Sequence, residues 1–248
     1  MTSDVGGPVE RPAFYTLRPG GWRDYVTLLH PPYTLWHLSY VAIGAALAPA
    51  MKWGLLGWTV LAFLLAMGVG AHALDELHGR PLGTRIPGSV LVGLAVASIA
   101  AACAIGIVVA ARTTLWLLLF VAFGAFVVAA YNLELFGGLF HSDVWFAAAW
   151  GAFPVLTAYF ASAERLRLAA VAAAAFGFLS SYAQRRLSTQ VRLVRRRVES
   201  VAGEARLAGG ASLPVDADLL ARAPEVALQA LAAAMALLAG ALLLFRAG

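Results

Sequence analysis

The sequence predicts an all-α membrane protein, a polytopic transmembrane bundle of about seven helices. Of its 248 residues, 61% are hydrophobic and only 12% are charged, and the mean hydropathy is +0.79. Soluble globular domains carry about twice that share of charged residues. Apolar stretches that can cross a bilayer, which takes about 20 residues, recur along the whole chain. They cover residues 33–51, 54–73, 88–111, 115–133, 144–163, 168–182 and 226–245.

The distribution of basic residues predicts the orientation of the bundle. Thirteen of the 18 Lys and Arg residues fall in the first 28 residues, in the loop after the second stretch or in the segment after the sixth. Cytoplasmic loops carry the excess of positive charge in membrane proteins. We therefore expect a multi-pass protein of the bacterial plasma (inner) membrane with a cytoplasmic N-terminus. The chain has no nucleic-acid-binding motif, so we expect no nucleic-acid partner.

The pattern divides the chain into four regions. Residues 1–28 form a polar cytoplasmic tail, which lacks the features of a secretory signal. Residues 29–184 form a six-span membrane bundle. Residues 185–225 are an Arg-rich cytoplasmic amphipathic insert, and residues 226–248 form a terminal transmembrane helix.

The insert contains apolar residues at helical spacing. Steps of four and three predict one apolar stripe on a helix, with arginines on the other faces. Such a helix lies in the lipid headgroup layer, packs against a partner helix, or is an ordinary solvated helix; the pattern leaves all three open. The stripe consists of Leu187, Val191, Val194, Val198, Val201 and Ala205.

A dense cluster of ionisable residues follows the second apolar stretch, in GAHALDELHGRPLGTRIPGS. If the helix continues through it, one face carries His72, Asp75, Glu76 and His78. Carboxylate and imidazole groups at this spacing bind divalent cations in helical bundles. Ionisable groups inside a membrane are costly and usually functional. In the alternative, the helix ends near Ala73 and the acids lie among hydrated headgroups.

This region resembles the UbiA superfamily of intramembrane prenyltransferases. The resemblance is carried by LLHPPYTLWHLSYVAIGAAL, by AHALDELHGRPLGTRIP, and by YNLELFGGLFHSDVWFAAAWGAFPVLTAYFA. Asp75 matches the middle aspartate of the family's first aspartate-rich motif, and His72 and Gly79 stand where the flanking aspartates would be. The resemblance implies a helical bundle around a central cavity, with both motif loops cytoplasmic.

The resemblance also implies a chemistry, the transfer of a prenyl group from its diphosphate to an acceptor. Asp75 and Glu76 are then the candidate catalytic residues. Mg²⁺ is the candidate cofactor, because carboxylate-bound metal ions neutralise a departing diphosphate. The candidate metal ligands are His72, Asp75, Glu76 and His78.

Basic and aromatic side chains on the same predicted side are candidate ligands of a lipid phosphate. Guanidinium groups bind phosphate oxygens through paired hydrogen bonds, although arginines near a cytoplasmic membrane face also serve topology alone. The candidates are Arg80, Arg85, Arg185, Arg186 and Tyr131.

The sequence pattern is consistent with three functions. One is a divergent prenyltransferase, or a protein that binds a prenyl diphosphate or related membrane lipid. Another is a non-catalytic membrane subunit or lipid-binding pseudoenzyme with a membrane protein partner, because the chain has no acid between Glu164 and Glu199 to form a second acidic motif. The third is a metal- or haem-binding protein that uses His72, Asp75, His78 and His37.

Overall fold

The computed structural model describes residues 13–248, and this part of the chain is mostly helical. Within it, a π-helical segment at Leu64–Ala71 joins α3 to α4, and a second one at Ala148–Ala152 joins α7 to α8. The elements in chain order are α1 (Trp22–Leu28), α2 (Pro31–Leu47), α3 (Trp53–Phe63), α4 (His72–Leu77), α5 (Gly88–Arg112), α6 (Leu117–Asn132), α7 (Asp143–Ala147), α8 (Phe153–Ala163), α9 (Leu168–Arg197), β1 (Gly203–Arg206), β2 (Ser212–Val215) and α10 (Ala217–Ala247).

Four helical stretches are long and apolar enough to cross a membrane, which supports an integral membrane protein. They are Trp53–Leu77, Gly88–Arg112, Asp143–Ala163 and Ala217–Ala247. Helices α2, α6 and α9 cover the three other predicted stretches. Helix α2 has 17 residues and α6 has 16, and α9 continues into an Arg-rich half. The number of seven spans therefore stays a prediction.

The Arg-rich insert does not begin with a separate helix. Helix α9 runs without a break from Leu168 to Arg197, so the sixth apolar stretch and the insert share one helix. Its apolar stripe is buried in the bundle, where Val191 joins a core cluster with Trp36 of α2 and Leu228 of α10. This part of the stripe therefore packs against other helices, and its interfacial interpretation is wrong.

The rest of the insert is a β-hairpin, which the sequence did not predict. Val198, Val201 and Ala205 lie beyond the end of α9, and Ala205 pairs with Leu213 across the hairpin. The turn between the strands uses Gly210 at a φ of 82°, which favours glycine. Asp216 then caps α10, because its Oδ1 accepts a hydrogen bond from the Leu219 N–H at 2.8 Å. The terminal helix thus begins at Ala217 instead of residue 226.

Small residues allow the central helices to approach closely. A Cβ atom on Gly177 of α9 would lie 2.7 Å from the carbonyl oxygen of Gly151, and one on Gly44 would lie 2.3 Å from that of Val155. Contacts of this kind, between small residues, hold helices together in membranes. The contact of Gly177 fixes α9 against the segment that contains Trp150, and the contact of Gly44 fixes α2 against α8.

Gly177→Ala is expected to lower the stability of the protein. The added methyl group has to displace backbone atoms, because the nearest obstacle is the Gly151 carbonyl. Overpacking of this kind costs about 1–3 kcal/mol. Thermal unfolding in detergent measures the effect. Gly93→Ala in α5 is the matched control, because its Cβ meets no atom within 4 Å, and an equal loss of stability in both variants would contradict the close-contact interpretation.

Candidate functional site

Helix ends on one side of the bundle enclose a polar chamber of about 520 Å³. Its walls come from residues 13–15, the start of α2, α4 with the loop after it, the end of α6, the segment around α7 and the C-terminal half of α9. Its volume lies within the range of small-molecule sites, about 300 to 1,000 Å³. The chamber brings together chain segments that the sequence analysis predicts on one side of the membrane.

The chamber contains four of the nine predicted site residues. His72, Asp75, Tyr131 and Arg185 line it. The other five are not among its lining residues, and they are Glu76, His78, Arg80, Arg85 and Arg186.

The π-helical segment before α4 directs His72 towards the chamber. Its Nδ1 lies 3.0 Å from the carbonyl oxygen of Gly68, and since a carbonyl only accepts, Nδ1 carries the hydrogen and Nε2 is an acceptor. The ring stacks on that of His30, with centroids 4.1 Å apart. Burial, together with His72 and the arginines of α9, holds the pKa of His30 well below its usual value, so this imidazole is neutral.

Glu76 has a structural role instead of facing the chamber. Its side chain is fully buried, and its carboxylate accepts the backbone N–H of Leu82 at 3.0 Å and that of Thr84 at 2.9 Å. The Thr84 hydroxyl donates a third hydrogen bond at 2.8 Å. Both oxygens are therefore occupied by the loop that follows α4.

The remaining candidates after α4 also belong to this loop. Helix α4 ends at Leu77, so the exposed His78 does not continue the face that carries His72 and Asp75. Arg80 donates to the carbonyl oxygens of Thr84 and Ile86. The backbone N–H of Arg85 bonds the buried Asp24, and its side chain is exposed. One helical face with four ligands is thus not formed.

The loop and α4 do not assemble a metal-binding group. Among residues 13–248, no three His, Cys, Asp or Glu side chains lie where they could hold one ion. Asp75 is the only acid of the predicted motif that lines the chamber. A single carboxylate can share Mg²⁺ with the oxygens of a bound diphosphate, but it cannot hold a pair of ions.

Arginines of α9 form the opposite, basic wall. Arg185, Arg192 and Arg196 line the chamber at steps of seven and four residues, which puts them on one helical face. The sequence analysis predicted Arg185 but not the other two. The signal that could have found them is this spacing, read as the inner face of a continuous α9.

Two of these guanidinium groups have different surroundings. Arg185 pairs with Asp143 at 3.2 Å, and the exposed Arg186 binds the other oxygen of the same carboxylate. Arg192 forms no ion pair with any residue in 13–248, and its side chain donates to the Thr189 hydroxyl at 3.2 Å. Burial and the nearby charges of Arg185 and Arg196 lower the pKa of Arg192. This wall therefore attracts an anion.

An apolar cavity of about 110 Å³ lies next to the chamber, between α3, α5, α6 and α8. Trp150 lines both spaces. A cluster that includes Met67, Val128 and Tyr131 packs around Trp150 between them. Wall residues such as Val121 are only half-buried, so the cavity reaches the outer surface of the bundle. A basic chamber thus adjoins an apolar one.

Glu76→Gln is expected to destabilise the protein, while Asp75→Asn is not. The new amide NH₂ would face N–H or O–H groups that now donate to a carboxylate oxygen. These buried donors would lose their partner, which costs about 1–3 kcal/mol of folding stability. The side chain of Asp75 lines the chamber and forms no hydrogen bond with the loop after α4. Thermal unfolding in detergent compares the two variants, and an equal or larger loss for Asp75→Asn would overturn the structural role of Glu76.

No protein family, curated protein or solved structure matches this chain. The chamber and the cavity beside it are therefore the features that bear on function.

Proposed function

We propose that this protein binds an anionic membrane lipid with a phosphate or diphosphate headgroup, with prenyl diphosphates as the first candidates. The observation that carries the proposal is Arg192, a half-buried arginine whose guanidinium has no carboxylate partner within residues 13–248 and lies on the wall of a chamber that adjoins an apolar cavity. A charge of this kind requires compensation, and a lipid phosphate supplies it.

The two spaces match the two parts of such a lipid. Arg185, Arg192 and Arg196 offer guanidinium donors to phosphate oxygens. The cavity beside Trp150 offers an apolar surface to the tail. Binding there keeps the headgroup in the polar chamber and the tail among apolar helices, as the two parts of the lipid lie in a bilayer.

The proposal also includes the arrangement of the helices in the membrane. We assign the bundle a UbiA-like arrangement with seven spans in the bacterial inner membrane, in which α2, α6 and α9 join the four long apolar helices. The chamber then faces the cytoplasm, as the charge distribution predicts. The basic wall of the chamber supports this orientation, because anionic lipids are enriched in the cytoplasmic leaflet of the membrane.

Arg192→Gln is expected to weaken the binding of geranylgeranyl diphosphate at least about tenfold, since a hydrogen bond to a charged group is lost.

The single cysteine of the chain, Cys103, lines the apolar cavity, so its reactivity reports whether the lipid tail is bound there. In the native protein the lipid should slow alkylation of Cys103 by N-ethylmaleimide and raise the melting temperature.

The matched control is Arg112→Gln, which removes an exposed arginine at the C-terminal end of α5. This variant should keep both effects of the lipid. Unchanged alkylation and melting of the native protein in the presence of geranylgeranyl diphosphate would reject prenyl diphosphates as its ligands.

Prenyl transfer is the second candidate function, and Asp75 is the observation in its favour. This carboxylate lines the same chamber as the α9 arginines. In the transfer, the C1–O bond of the prenyl diphosphate breaks, and the diphosphate leaves with the electron pair. The acceptor then forms the new bond and loses a proton. Mg²⁺ shared by Asp75 and the diphosphate would supply charge neutralisation.

Release of inorganic diphosphate from geranylgeranyl diphosphate tests this candidate, with Mg²⁺ and aromatic acceptors present. If transfer occurs, Asp75→Asn should lower the rate by at least about tenfold while lipid binding persists. The absence of diphosphate release from the native protein would reject prenyl transfer and leave lipid binding intact.

A further inference from the structure

A second class of polar groups lines the chamber beside the arginines. Tyr131, Gln184 and His30 are neutral side chains that can both donate and accept hydrogen bonds. Tyr131 is 5% exposed and Gln184 is 3% exposed. A phosphate group cannot satisfy all of their atoms. Its oxygens only accept hydrogen bonds, so they can pair with the donors on these side chains but not with the acceptors.

These three residues hold an unusual concentration of unpaired polar atoms. Within residues 13–248, four buried side-chain atoms lack a hydrogen-bond partner, and three of them are Tyr131 Oη, Gln184 Oε1 and His30 Nε2. The fourth belongs to Arg246, which contacts Ala48 at the far end of α2. Buried polar groups are nearly always paired in folded proteins. Their clustering around one chamber therefore indicates a ligand that pairs with them.

The hydrogen-bonding capacity of the wall defines the chemistry of that ligand. His72 Nε2 is an acceptor, because Nδ1 donates to Gly68. The Gln184 amide combines an oxygen that accepts with an NH₂ group that donates, and its Oε1 is the atom without a partner within residues 13–248. Acceptors on the wall require donors on the ligand, and an ionised phosphodiester has none. A hydroxyl group both donates and accepts.

We propose that the lipid bound in the chamber is a phosphodiester whose headgroup carries hydroxyl groups, such as a glycerol or another polyol. This inference rests on the proposed function and narrows its ligand class from lipid phosphates and diphosphates to phosphodiesters with a polyol headgroup, which then take the place of prenyl diphosphates as first candidates. The phosphate binds Arg185 and Arg192, while the hydroxyl groups pair with Tyr131, Gln184 and the histidines. A chamber of about 520 Å³ has room for both parts.

A matched lipid pair tests the role of the hydroxyl groups. Phosphatidylglycerol and phosphatidylethanol with identical acyl chains carry the same single negative charge, but only the first has free hydroxyl groups. Their affinities for the full-length protein in detergent are measured by native mass spectrometry. The native protein should prefer phosphatidylglycerol by about tenfold, the value of one or two satisfied hydrogen bonds.

Two substitutions locate the preference. Gln184→Met keeps the length of the side chain and removes its polar atoms, and it should reduce the preference to about twofold while the affinity for phosphatidylethanol stays unchanged. Tyr131→Phe removes only an unpaired hydroxyl, so it should fold normally and give the same direction of change. Arg192→Gln should weaken the binding of both lipids equally.

The outcomes separate this inference from the proposed function. Equal affinity of the native protein for both lipids, with binding still dependent on Arg192, overturns the hydroxyl inference and leaves lipid-phosphate binding standing. A preference that persists in Tyr131→Phe and Gln184→Met also overturns it. Binding of neither these lipids nor geranylgeranyl diphosphate overturns both.

Discussion

Positive charge that faces the interior of a helical bundle is the constraint on which this structure depends. A guanidinium stays charged at any physiological pH, and its burial is costly unless an anion or a hydrogen-bonding ligand compensates it. Asp143 compensates Arg185, whereas Arg192 faces the chamber. Helix α9 tolerates this arrangement because Val191, beside Arg192, also packs in the core and Arg195 pairs with Glu225 of α10 at 2.9 Å.

Two adjacent acids show how tertiary contacts divide similar residues between structure and site. Successive residues on a helix point about 100° apart, and here Asp75 lines the chamber while Glu76 turns towards the loop after α4. The loop after α4 folds back and supplies three donors to Glu76, while Asp75 keeps its place on the chamber wall. The sequence pattern gave both acids the same role, because the path of a loop is not encoded in helical spacing.

Hydrophobicity predicted the positions of the helices well, since each of the seven apolar stretches overlaps a helix in the structure. It predicted their ends poorly. The extension of α9 to Arg197 was missed because a spacing of three and four residues fits a buried helical face as well as an interfacial one. The hairpin was missed because its strands have four residues each. Among the site residues, Arg192 could be recognised only once α9 was known to be continuous, because it then shares a helical face with Arg185. His30 needed the three-dimensional arrangement, because nothing in its local sequence separates it from a core histidine.

The charges on the chamber wall bear on the choice between the proposed binding and transfer. Several arginines line it within residues 13–248 together with two acids, of which Asp143 is already paired with arginines and Asp75 is not. Arginines that contact phosphate oxygens do so both before and after the C1–O bond breaks, so much of their stabilisation applies equally to the bound lipid and to the departing diphosphate. Uniform binding of this kind tightens a complex without accelerating its reaction. Acceleration requires groups whose interaction grows as charge develops on the diphosphate, and metal ions held by carboxylates are the usual ones. With Glu76 held by the loop and Asp143 paired with arginines, Asp75 alone remains for that task. The charge balance of the chamber therefore favours a retained lipid over rapid turnover.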